Sequence, residues 1–353
     1  MNIIKFFSFT FLIVVFLVFI FFTSLVAIVT DWWWYQEVEF TEVFIKSISA
    51  KLIVGLSFGL LAAVFLLINL FFAAFSKVPW IVSVPEALVG QRISLNDKVV
   101  RKLAIIISLV VAFFIGLISS SSWHDVLKFL SSVPFGQTDP LFGKDISFYV
   151  FSLPIYSLAL GLIKTLILLS LIVCGVIYIL RGSLNLSGIL GKFDLSRLTG
   201  KPESLIIKPA KVQGSDRKAR LHIGILLCLF LATIAVGTHL SIYNLLTSQS
   251  GPVFGAAFTD ANVMVPILRI SVFVYGIASI LALFYGVSGK IVPLLGAIFL
   301  TVIVGFASAI IPSIFQKLVV APNELTKETP FIKYNIEASR KAYGLDKVEE
   351  REI

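Results

Sequence analysis

Long apolar runs separated by shorter polar stretches set the pattern of this chain. Residues 6–30 form the first run, and the only charged side chain before it is Lys5. The apolar region of a secretory signal is about 7–15 residues long, whereas crossing a bilayer takes about 20. We therefore predict that the first run is an uncleaved membrane span. Six further runs predict spans at about 52–75, 103–120, 156–180, 221–240, 265–286 and 291–315.

The composition indicates the same class of protein. Hydrophobic residues make up 58% of the chain and charged residues 14%, whereas a soluble domain carries about 25% charged residues. Cys174 and Cys228 both lie in apolar runs, so the sequence contains no disulfide framework and no Cys-x-x-Cys motif. We predict an all-α integral membrane protein. Residues 1–316 would form a bundle of seven transmembrane helices with aromatic outer loops, followed by a polar extracytoplasmic tail over residues 317–353.

Basic residues segregate into alternate loops. The stretch before the first span, the loops 76–102 and 181–220 and the turn at Lys290 hold 16 Lys and Arg residues, whereas the intervening loops hold 4. Positive residues are retained in the cytoplasm, which predicts a cytoplasmic N-terminus, an extracytoplasmic C-terminus and a multi-pass protein of the cell membrane. This segregation also accounts for the net charge of +9, so the charge does not require a nucleic acid as a partner.

The loop 181–220 carries nine basic and three acidic residues. Retention of positive charge in the cytoplasm explains this excess by itself. The alternative is a short amphipathic helix that binds anionic lipids of the inner leaflet. Such a helix would also explain the helical spacing of five apolar positions, but retention of positive charge needs no ligand and is the simpler interpretation. The five positions are Leu186, Ile189, Leu190, Phe193 and Leu198.

Two outer stretches are rich in aromatic residues. Residues 139–156 combine charged side chains with four aromatic side chains within nine residues, a mixture typical of the membrane–water interface. Their candidate interaction positions are Asp139, Phe142, Lys144 and Asp145. Three adjacent Trp residues that open the first outer loop cannot share one helix face, so we predict an interfacial belt rather than a ligand cage. This belt consists of Trp32, Trp33, Trp34 and Tyr35.

Local motifs predict helix packing and a tail helix. The pairs Gly55-x-x-x-Gly59 and Gly305-x-x-x-Ala309 have the spacing that lets two membrane helices approach closely. In the tail, Thr329 is placed to cap a short amphipathic helix that starts at Pro330, and Gly344 is placed to end it. The apolar face of that helix would comprise Phe331, Tyr334, Ala338, Ala342 and Leu345, and it needs a surface on which to pack.

Lys164 and Arg269 are charged residues inside predicted spans. Intramembrane charges are costly and are functional candidates by default, yet long side chains near a helix end can extend to the interface. For Arg269 we predict this extension or pairing with Asp260. Lys164 is deeper. It either reaches out, pairs with an outer-loop carboxylate such as Asp139 or Asp145, or faces a polar cavity.

Catalytic and cofactor motifs are sparse. His124 and His239 are both predicted outside, near Asp125 and Asp260, and a divalent metal between them is an alternative that their spacing does not favour. The sequence contains no phosphate loop and no Gly-x-Ser-x-Gly motif. We predict neither an enzyme nor a cofactor.

Several runs, in order along the chain, resemble the UPF0182 family of bacterial integral membrane proteins. The most specific is the pattern Asp-Pro-x-Phe-Gly-Lys-Asp-Ile-Ser-Phe-Tyr-x-Phe-x-Leu-Pro at residues 139–154. Glu39 and Phe258 depart from the Gly and Tyr that the family tends to have. The resemblance implies a membrane fold with no assigned activity, continuing in similar proteins into a large extracytoplasmic domain. The other similar runs are 31–35, 134–136, 255–260, 322–325 and 342–346.

Two functions follow as hypotheses. The first is a membrane anchor and assembly platform that presents an extracytoplasmic protein partner or a downstream domain at the cell envelope. The conspicuous outer motifs, the tail helix and the few polar groups inside the spans favour it. The second is a transporter or lipid-handling protein with a polar groove near Lys164 and Arg269.

Overall fold

The computed structural model describes residues 3–74, 97–180, 217–249 and 254–348. These residues form helices and connecting turns without a β-strand, apart from isolated bridges between Thr138 and Asp145 and between Gln249 and Gly255. The α-helices are α1 (Ile3–Glu37), α2 (Thr41–Ala74), α3 (Asp97–Ser120), α4 (Trp123–Leu130), α5 (Leu153–Leu180), α6 (Arg217–Asn244), α7 (Val265–Ser288), α8 (Ile291–Phe315) and α9 (Glu324–Ala342).

Among the residues that the structure describes, six helical segments are long and apolar enough to cross a membrane. The prediction of an all-helical membrane-type fold is therefore confirmed. The first predicted span, residues 6–30, lies within α1 and stays a prediction. The six segments are Thr41–Ala74, Arg101–Ser120, Phe148–Ile179, Arg217–Thr247, Asp260–Ser288 and Ile291–Ala342.

The helices extend into stretches that the sequence assigned to loops. Helix α1 continues through the aromatic residues 32–35, here called the Trp cluster, to Glu37, and only residues 38–40 separate it from α2. Helix α6 begins at Arg217, four residues before the predicted span. An apolar run sets the minimum length of a span, but a helix continues into polar sequence wherever no Pro or Gly stops it. The predicted amphipathic helix over residues 186–198 lies outside the described residues.

The tail helix begins earlier than the sequence predicted, so Thr329 is not its cap. Helix α9 begins at Glu324, and Pro330 lies inside it rather than at its first position. The Thr329 hydroxyl donates a hydrogen bond back to the Leu325 carbonyl instead of capping a helix start. Pro330 removes one backbone donor from the second turn, and the helix nevertheless continues to Ala342. Gly344 follows the helix with a φ of 66°, as predicted for a residue that terminates it.

The apolar helices pack side by side in the order α3, α2, α5, α6, α7 and α8, and α1 lies against α2. Two clusters of buried residues lie at the centre of this row. One joins α2, α5 and α6 and contains Ile167, Cys174 and Leu226. The other joins α2, α3 and α5 around Leu66 and Leu166. Helices α2 and α5 therefore contribute to both clusters.

Small residues set the closest helix contacts. A Cβ atom added to Gly116 of α3 would lie 2.7 Å from the Gly55 carbonyl oxygen, and Gly59 packs on the same α3 surface. The prediction for Gly55 and Gly59 is therefore confirmed. No such contact is seen at Gly305, where an added Cβ would meet no described atom within 4 Å. The close contact of α6 with α7 uses Gly224 and Gly286 instead, where an added Cβ on Gly224 would lie 2.6 Å from the Gly286 Cα.

Candidate functional site

The Asp139 loop, residues 134–149, is organised around two carboxylates. The buried Asp139 carboxylate accepts hydrogen bonds from the backbone N–H groups of Leu141 at 2.9 Å, Phe142 at 2.5 Å and Lys144 at 2.8 Å, and from the Tyr149 hydroxyl at 2.9 Å. Four donors on one carboxylate satisfy its hydrogen-bonding capacity. Asp139 is therefore a structural centre of the loop.

Asp145 plays the same role one turn further on. Its carboxylate accepts hydrogen bonds from the backbone N–H groups of Phe135 at 3.1 Å, Gly136 at 2.9 Å and Ser147 at 2.8 Å. The Ser147 hydroxyl and N–H, followed by the Phe135 and Gly136 N–H groups, lower the pKa of Asp145 from the ordinary 3.8 to about 2. The carboxylate is thus held ionised, and it joins both arms of the loop.

The loop closes through its backbone as well. The Asp139 N–H donates to the Lys144 carbonyl at 2.8 Å, and the Gly143 N–H donates to the Asp139 carbonyl at 3.1 Å. Gly143 has a φ of 65°, a left-handed conformation that glycine adopts without steric cost. The spacing Asp-Pro-x-Phe-Gly-Lys-Asp is therefore explained as the sequence of one hydrogen-bonded turn.

Aromatic side chains attach this loop to the end of α6. The Tyr243 ring lies 5.4 Å from the Phe142 ring and 5.3 Å from the Phe148 ring, in edge-to-face geometry. The Lys144 ammonium lies 6.0 Å from the centre of the Phe148 ring, at the outer limit of a cation–π contact. Phe142 thus serves as an anchor of the loop on α6.

The Trp cluster divides into two faces of α1. Trp32 and Tyr35 are three residues apart and both pack on Phe44 of α2, with ring centres 5.5 Å and 5.4 Å away. Trp33 and Trp34 point outward and are 63% and 57% exposed. Two rings therefore attach α1 to α2, and two are available for the interfacial anchoring that the sequence predicts.

Asp260 lies in a second site, the tail junction, which comprises residues 254–260 and 316–335. The buried Asp260 carboxylate accepts a hydrogen bond from the Ala257 N–H at 3.0 Å. Glu328 of α9 is fully buried, and its Oε2 accepts a hydrogen bond from the Phe258 N–H at 3.0 Å. The Thr259 hydroxyl also donates to Gln316. Glu328 could not be recognised from the sequence, because a Glu in a polar tail carries no signal of burial.

A polar groove lies between α5 and α6. This cavity of about 320 Å³ is lined by Lys164 and by hydroxyl, amide and apolar groups of both helices. Lys164 is exposed and lines this groove, so the polar-cavity alternative stays open beside extension to the interface. Within the described ranges no carboxylate lies within ion-pair distance of Lys164. The other lining residues are Ser157, Leu160, Gly161, Thr233, Ile234, Gly237, Thr238, Leu240, Ser241 and Asn244.

Arg269 does not share that groove. It is exposed on α7 and is not among the lining residues. Asp139, Phe142, Lys144 and Asp145 share one loop, whereas Asp260 belongs to the tail junction. The end of α6 links the loop with the groove, because Tyr243 contacts the loop and the next residue, Asn244, lines the groove.

A polar network near the other end of the helices was not predicted. His222 Nδ1 lies 2.8 Å from the Tyr178 hydroxyl, and His222 Nε2 lies 3.0 Å from Asn69 Oδ1. The Asn69 amide nitrogen donates to the Phe65 carbonyl at 2.8 Å, so Asn69 Oδ1 is left as an acceptor for the His222 Nε2–H. This arrangement joins α2, α5 and α6 by hydrogen bonds, a common way of fixing membrane helices.

The metal alternative gains no support from the geometry. Among the residues that the structure describes, no three His, Cys, Asp or Glu side chains form a group able to hold a metal ion. His124 is exposed beside Trp123, with ring centres 5.5 Å apart, and His239 packs on Tyr243 at 5.6 Å. Both histidines therefore have aromatic neighbours.

In the described part of the chain, six apolar helical segments have the length and composition of a multi-helix membrane protein. The chain belongs to the uncharacterised protein family UPF0182, whose family model matches residues 8–353. The resemblance noted from the sequence motifs is thus confirmed. None of the solved structures matches this chain.

Relatives in several bacteria are similar over most of the chain. A UPF0182 protein of Trichlorobacter lovleyi is 33% identical over 334 residues, which is 93% of this chain and 34% of the relative. One from Geobacter sulfurreducens is 31% identical over 92% of this chain and 34% of its own length. One from Paenarthrobacter aurescens is 32% identical over 94% of this chain and 31% of its own length. The chain therefore spans about a third of the length of these curated relatives.

Proposed function

We propose that this chain is a membrane anchor and assembly platform of the bacterial cell membrane. It presents an extracytoplasmic protein partner or domain through its tail junction, with its N-terminus in the cytoplasm. The proposal assigns no catalysis to the chain. The observation that carries it is the docking of α9 on an outer loop by the buried Glu328 carboxylate.

The path of the chain from α8 to α9 supports this proposal. The Phe258 ring lies 6.5 Å from the Phe315 ring and 6.3 Å from the Phe331 ring. In a straight α-helix, residues 315 and 331 would be about 24 Å apart along the axis. The chain therefore bends between α8 and α9, through a π-helical turn at Gln316–Val320 and a 3-10 turn at Ala321–Asn323.

Specific contacts fix α9 after this bend. Besides Glu328, the Asn335 amide donates to the Phe254 carbonyl at 3.1 Å, and Phe331 packs edge-to-face on Phe258. The Lys327 ammonium lies 4.9 Å from the centre of the Phe258 ring. Polar and aromatic contacts from one face thus orient α9 relative to the membrane helices.

The remaining surface of α9 offers apolar area for a partner. A shallow hollow of about 270 Å³ is lined by both apolar and polar side chains of the helix and the turn after it. Ile336 is 52% exposed and Tyr343 is 82% exposed. Exposed apolar surface beside a fixed attachment suits protein association. The lining residues are Ile332, Asn335, Ile336, Ser339, Arg340, Tyr343 and Leu345.

Site-specific photo-cross-linking tests the platform. A photoreactive residue at position 336, in the bacterium that encodes the protein, should give a discrete adduct of higher mass. Glu328→Ala should weaken that adduct several-fold, because α9 loses its buried attachment. Glu337→Ala on the same helix is the matched control, since Glu337 is exposed. A photoreactive residue at the exposed position 299 of α8 should give no such adduct. An adduct that survives Glu328→Ala unchanged would contradict the proposal.

The groove at Lys164 supports a second candidate function, transport or lipid handling. An unpaired ammonium in a polar cavity between two membrane-type helices is a typical feature of a substrate path. In vesicle transport assays with labelled candidate substrates, Lys164→Leu should abolish activity and Arg269→Leu should not, because only Lys164 lines the groove. Equal activity of the wild type and Lys164→Leu would reject this candidate.

A further inference from the structure

We propose that the groove between α5 and α6 binds the headgroup of an anionic phospholipid that carries hydroxyl donors, of the phosphatidylglycerol type. This inference rests on the groove described as the second candidate function and names its ligand. It requires neither transport nor a docked partner at the tail junction.

The Lys164 ammonium in the groove favours a negatively charged ligand. Lys164 is exposed to the cavity, and within the described ranges no carboxylate lies near enough to pair with it. The two outer-loop carboxylates, Asp139 and Asp145, are occupied by hydrogen bonds of their own loop. An ammonium at membrane depth is stabilised by a counter-charge. Phospholipid phosphates are the anions that a bilayer supplies at that site.

The hydroxyl groups of the groove select for hydrogen-bond donors. The Thr233, Thr238 and Ser241 hydroxyls donate their protons to the backbone carbonyls of α6, at 2.7 Å, 2.9 Å and 2.9 Å. Their oxygens therefore remain as acceptors toward the cavity. A ligand that matches this wall carries an anionic group for Lys164 and O–H or N–H donors for the hydroxyl oxygens. Phosphatidylcholine has the phosphate but lacks such donors, whereas phosphatidylglycerol has both.

The length of the groove fits a lipid that enters from the loop side. Ser157 and Lys164 are seven residues apart on α5, which is about 10 Å along the helix axis. The long Lys side chain can extend toward the helix end and shorten this distance. Leu160, Ile234 and Leu240 supply apolar wall for the rest of the lipid. The Lys164 ammonium can therefore extend toward a phosphate held at the Ser157 end of the groove.

Two glycines in the lining provide a test that keeps the charge intact. A Cβ atom added at Gly161 or Gly237 would meet no described atom within 4 Å. A larger side chain at Gly237 would thus fill the groove without displacing a neighbouring helix. Gly305 of α8 is equally open but lies outside the groove, so it is the matched control.

The experiment compares lipid binding to the purified, delipidated chain by native mass spectrometry. Phosphatidylglycerol and phosphatidylcholine with identical acyl chains are added separately, and soluble glycerol 3-phosphate is added as a competitor. We expect phosphatidylglycerol to bind about tenfold more tightly than phosphatidylcholine, the effect of one or two added hydrogen bonds from its hydroxyl groups. Millimolar glycerol 3-phosphate should not displace it.

The variants locate the site. Lys164→Leu and Gly237→Leu should each reduce the affinity for phosphatidylglycerol about tenfold, whereas Lys164→Arg and Gly305→Leu should retain it. Helical circular dichroism shows that each variant is folded. Equal binding of the two lipids to the wild type, or full retention in Lys164→Leu, would overturn the site. Displacement by glycerol 3-phosphate would overturn the lipid assignment in favour of a soluble phosphate ester. None of these outcomes alters the cross-link expected at position 336, so this inference and the platform proposal fail separately.

Discussion

Glu39 occupies the turn between α1 and α2 with a φ of 63°, a left-handed conformation that other non-glycine residues in the described ranges do not adopt. An L-residue with a Cβ atom pays a steric cost there that glycine avoids. Glu39→Gly should therefore raise the free energy of unfolding by about 0.5–1 kcal/mol. Thermal unfolding in detergent micelles measures it.

Glu42→Gly is the matched control for this turn, because Glu42 lies in the first turn of α2 with helical backbone. Glycine in a helix costs about 1 kcal/mol relative to a good helix former. The two substitutions should shift the unfolding midpoint in opposite directions. A lower midpoint for Glu39→Gly would show that the Glu39 side chain contributes more than its backbone conformation costs.

Asp145 makes the stability of the Asp139 loop depend on pH. Its pKa in the folded protein is about 2, below the ordinary 3.8, so the carboxylate stabilises the fold above about pH 4. That contribution is lost as the pH falls from about 4 toward 2. The difference in unfolding midpoint between the wild type and Asp145→Asn should therefore be largest at pH 6 and should narrow at pH 3.

The control for Asp145 is Asp125→Asn. Asp125 forms an exposed ion pair with Lys128 at 3.5 Å, which contributes little to stability. Its variant should follow the wild type across the same pH range. If the difference in unfolding midpoint between the wild type and Asp145→Asn is the same at pH 6 and pH 3, the role assigned to the carboxylate is contradicted.

The Asp139 loop could be recognised from its residue types alone. The motif around Asp139 and Asp145 stood out because charge, Gly and aromatic residues rarely mix inside an apolar chain. The sequence could not show that their carboxylates accept backbone hydrogen bonds, since that depends on the path of the loop. Glu328 was not foreseen at all, because its partner Phe258 is 70 residues away.

Helix packing depends on the contact between α2 and α3. A Cβ atom on Gly116 would lie 2.7 Å from the Gly55 carbonyl oxygen, so Gly116→Ala forces the two helices apart. Forcing extra atoms into a packed site costs about 1–3 kcal/mol. We expect a matching loss of unfolding free energy, measured by denaturant titration in mixed micelles.

Gly305→Ala serves as the control for that contact. An added Cβ at Gly305 meets no described atom within 4 Å, and alanine favours a helix over glycine by about 1 kcal/mol at most. Gly305→Ala should therefore be neutral or stabilising. An equal loss of stability in both variants would show that glycine acts at Gly116 through helix flexibility rather than through close packing.

The elements themselves were largely predictable, because an apolar run of about 20 residues has few alternatives to a membrane helix. Their ends were not. The Trp cluster was assigned to a loop but extends α1, and Pro330 was placed at a helix start but lies inside α9. Contacts between helices were predictable only from small-residue spacing. That signal identified Gly55 and Gly59 correctly, whereas Gly305 meets no described neighbour, because spacing does not say which face meets another helix.

At the scale of the whole molecule, the two ends of α6 define two opposite faces. Near its start, Arg220 lies against the turn that contains Gly289 and Lys290; near its end, Tyr243 contacts the Asp139 loop. A helix of 28 residues is about 42 Å long. The basic turn and the Asp139 loop are therefore on opposite sides of any membrane that α6 crosses.

The excess of basic residues then predicts which face is cytoplasmic. Lys290→Cys should react with a membrane-impermeant maleimide only after the cytoplasmic side is opened, whereas Ser132→Cys in the outer loop should react in intact cells. Both positions are exposed, while Cys174 is buried and Cys228 is partly buried between helices, so the background is low. Labelling of both sites from one side of the membrane would contradict the placement of the Lys290 turn and the Asp139 loop at opposite ends of α6. The reverse pattern would preserve the fold but place the tail junction in the cytoplasm, and the partner of α9 would then have to be a cytoplasmic protein.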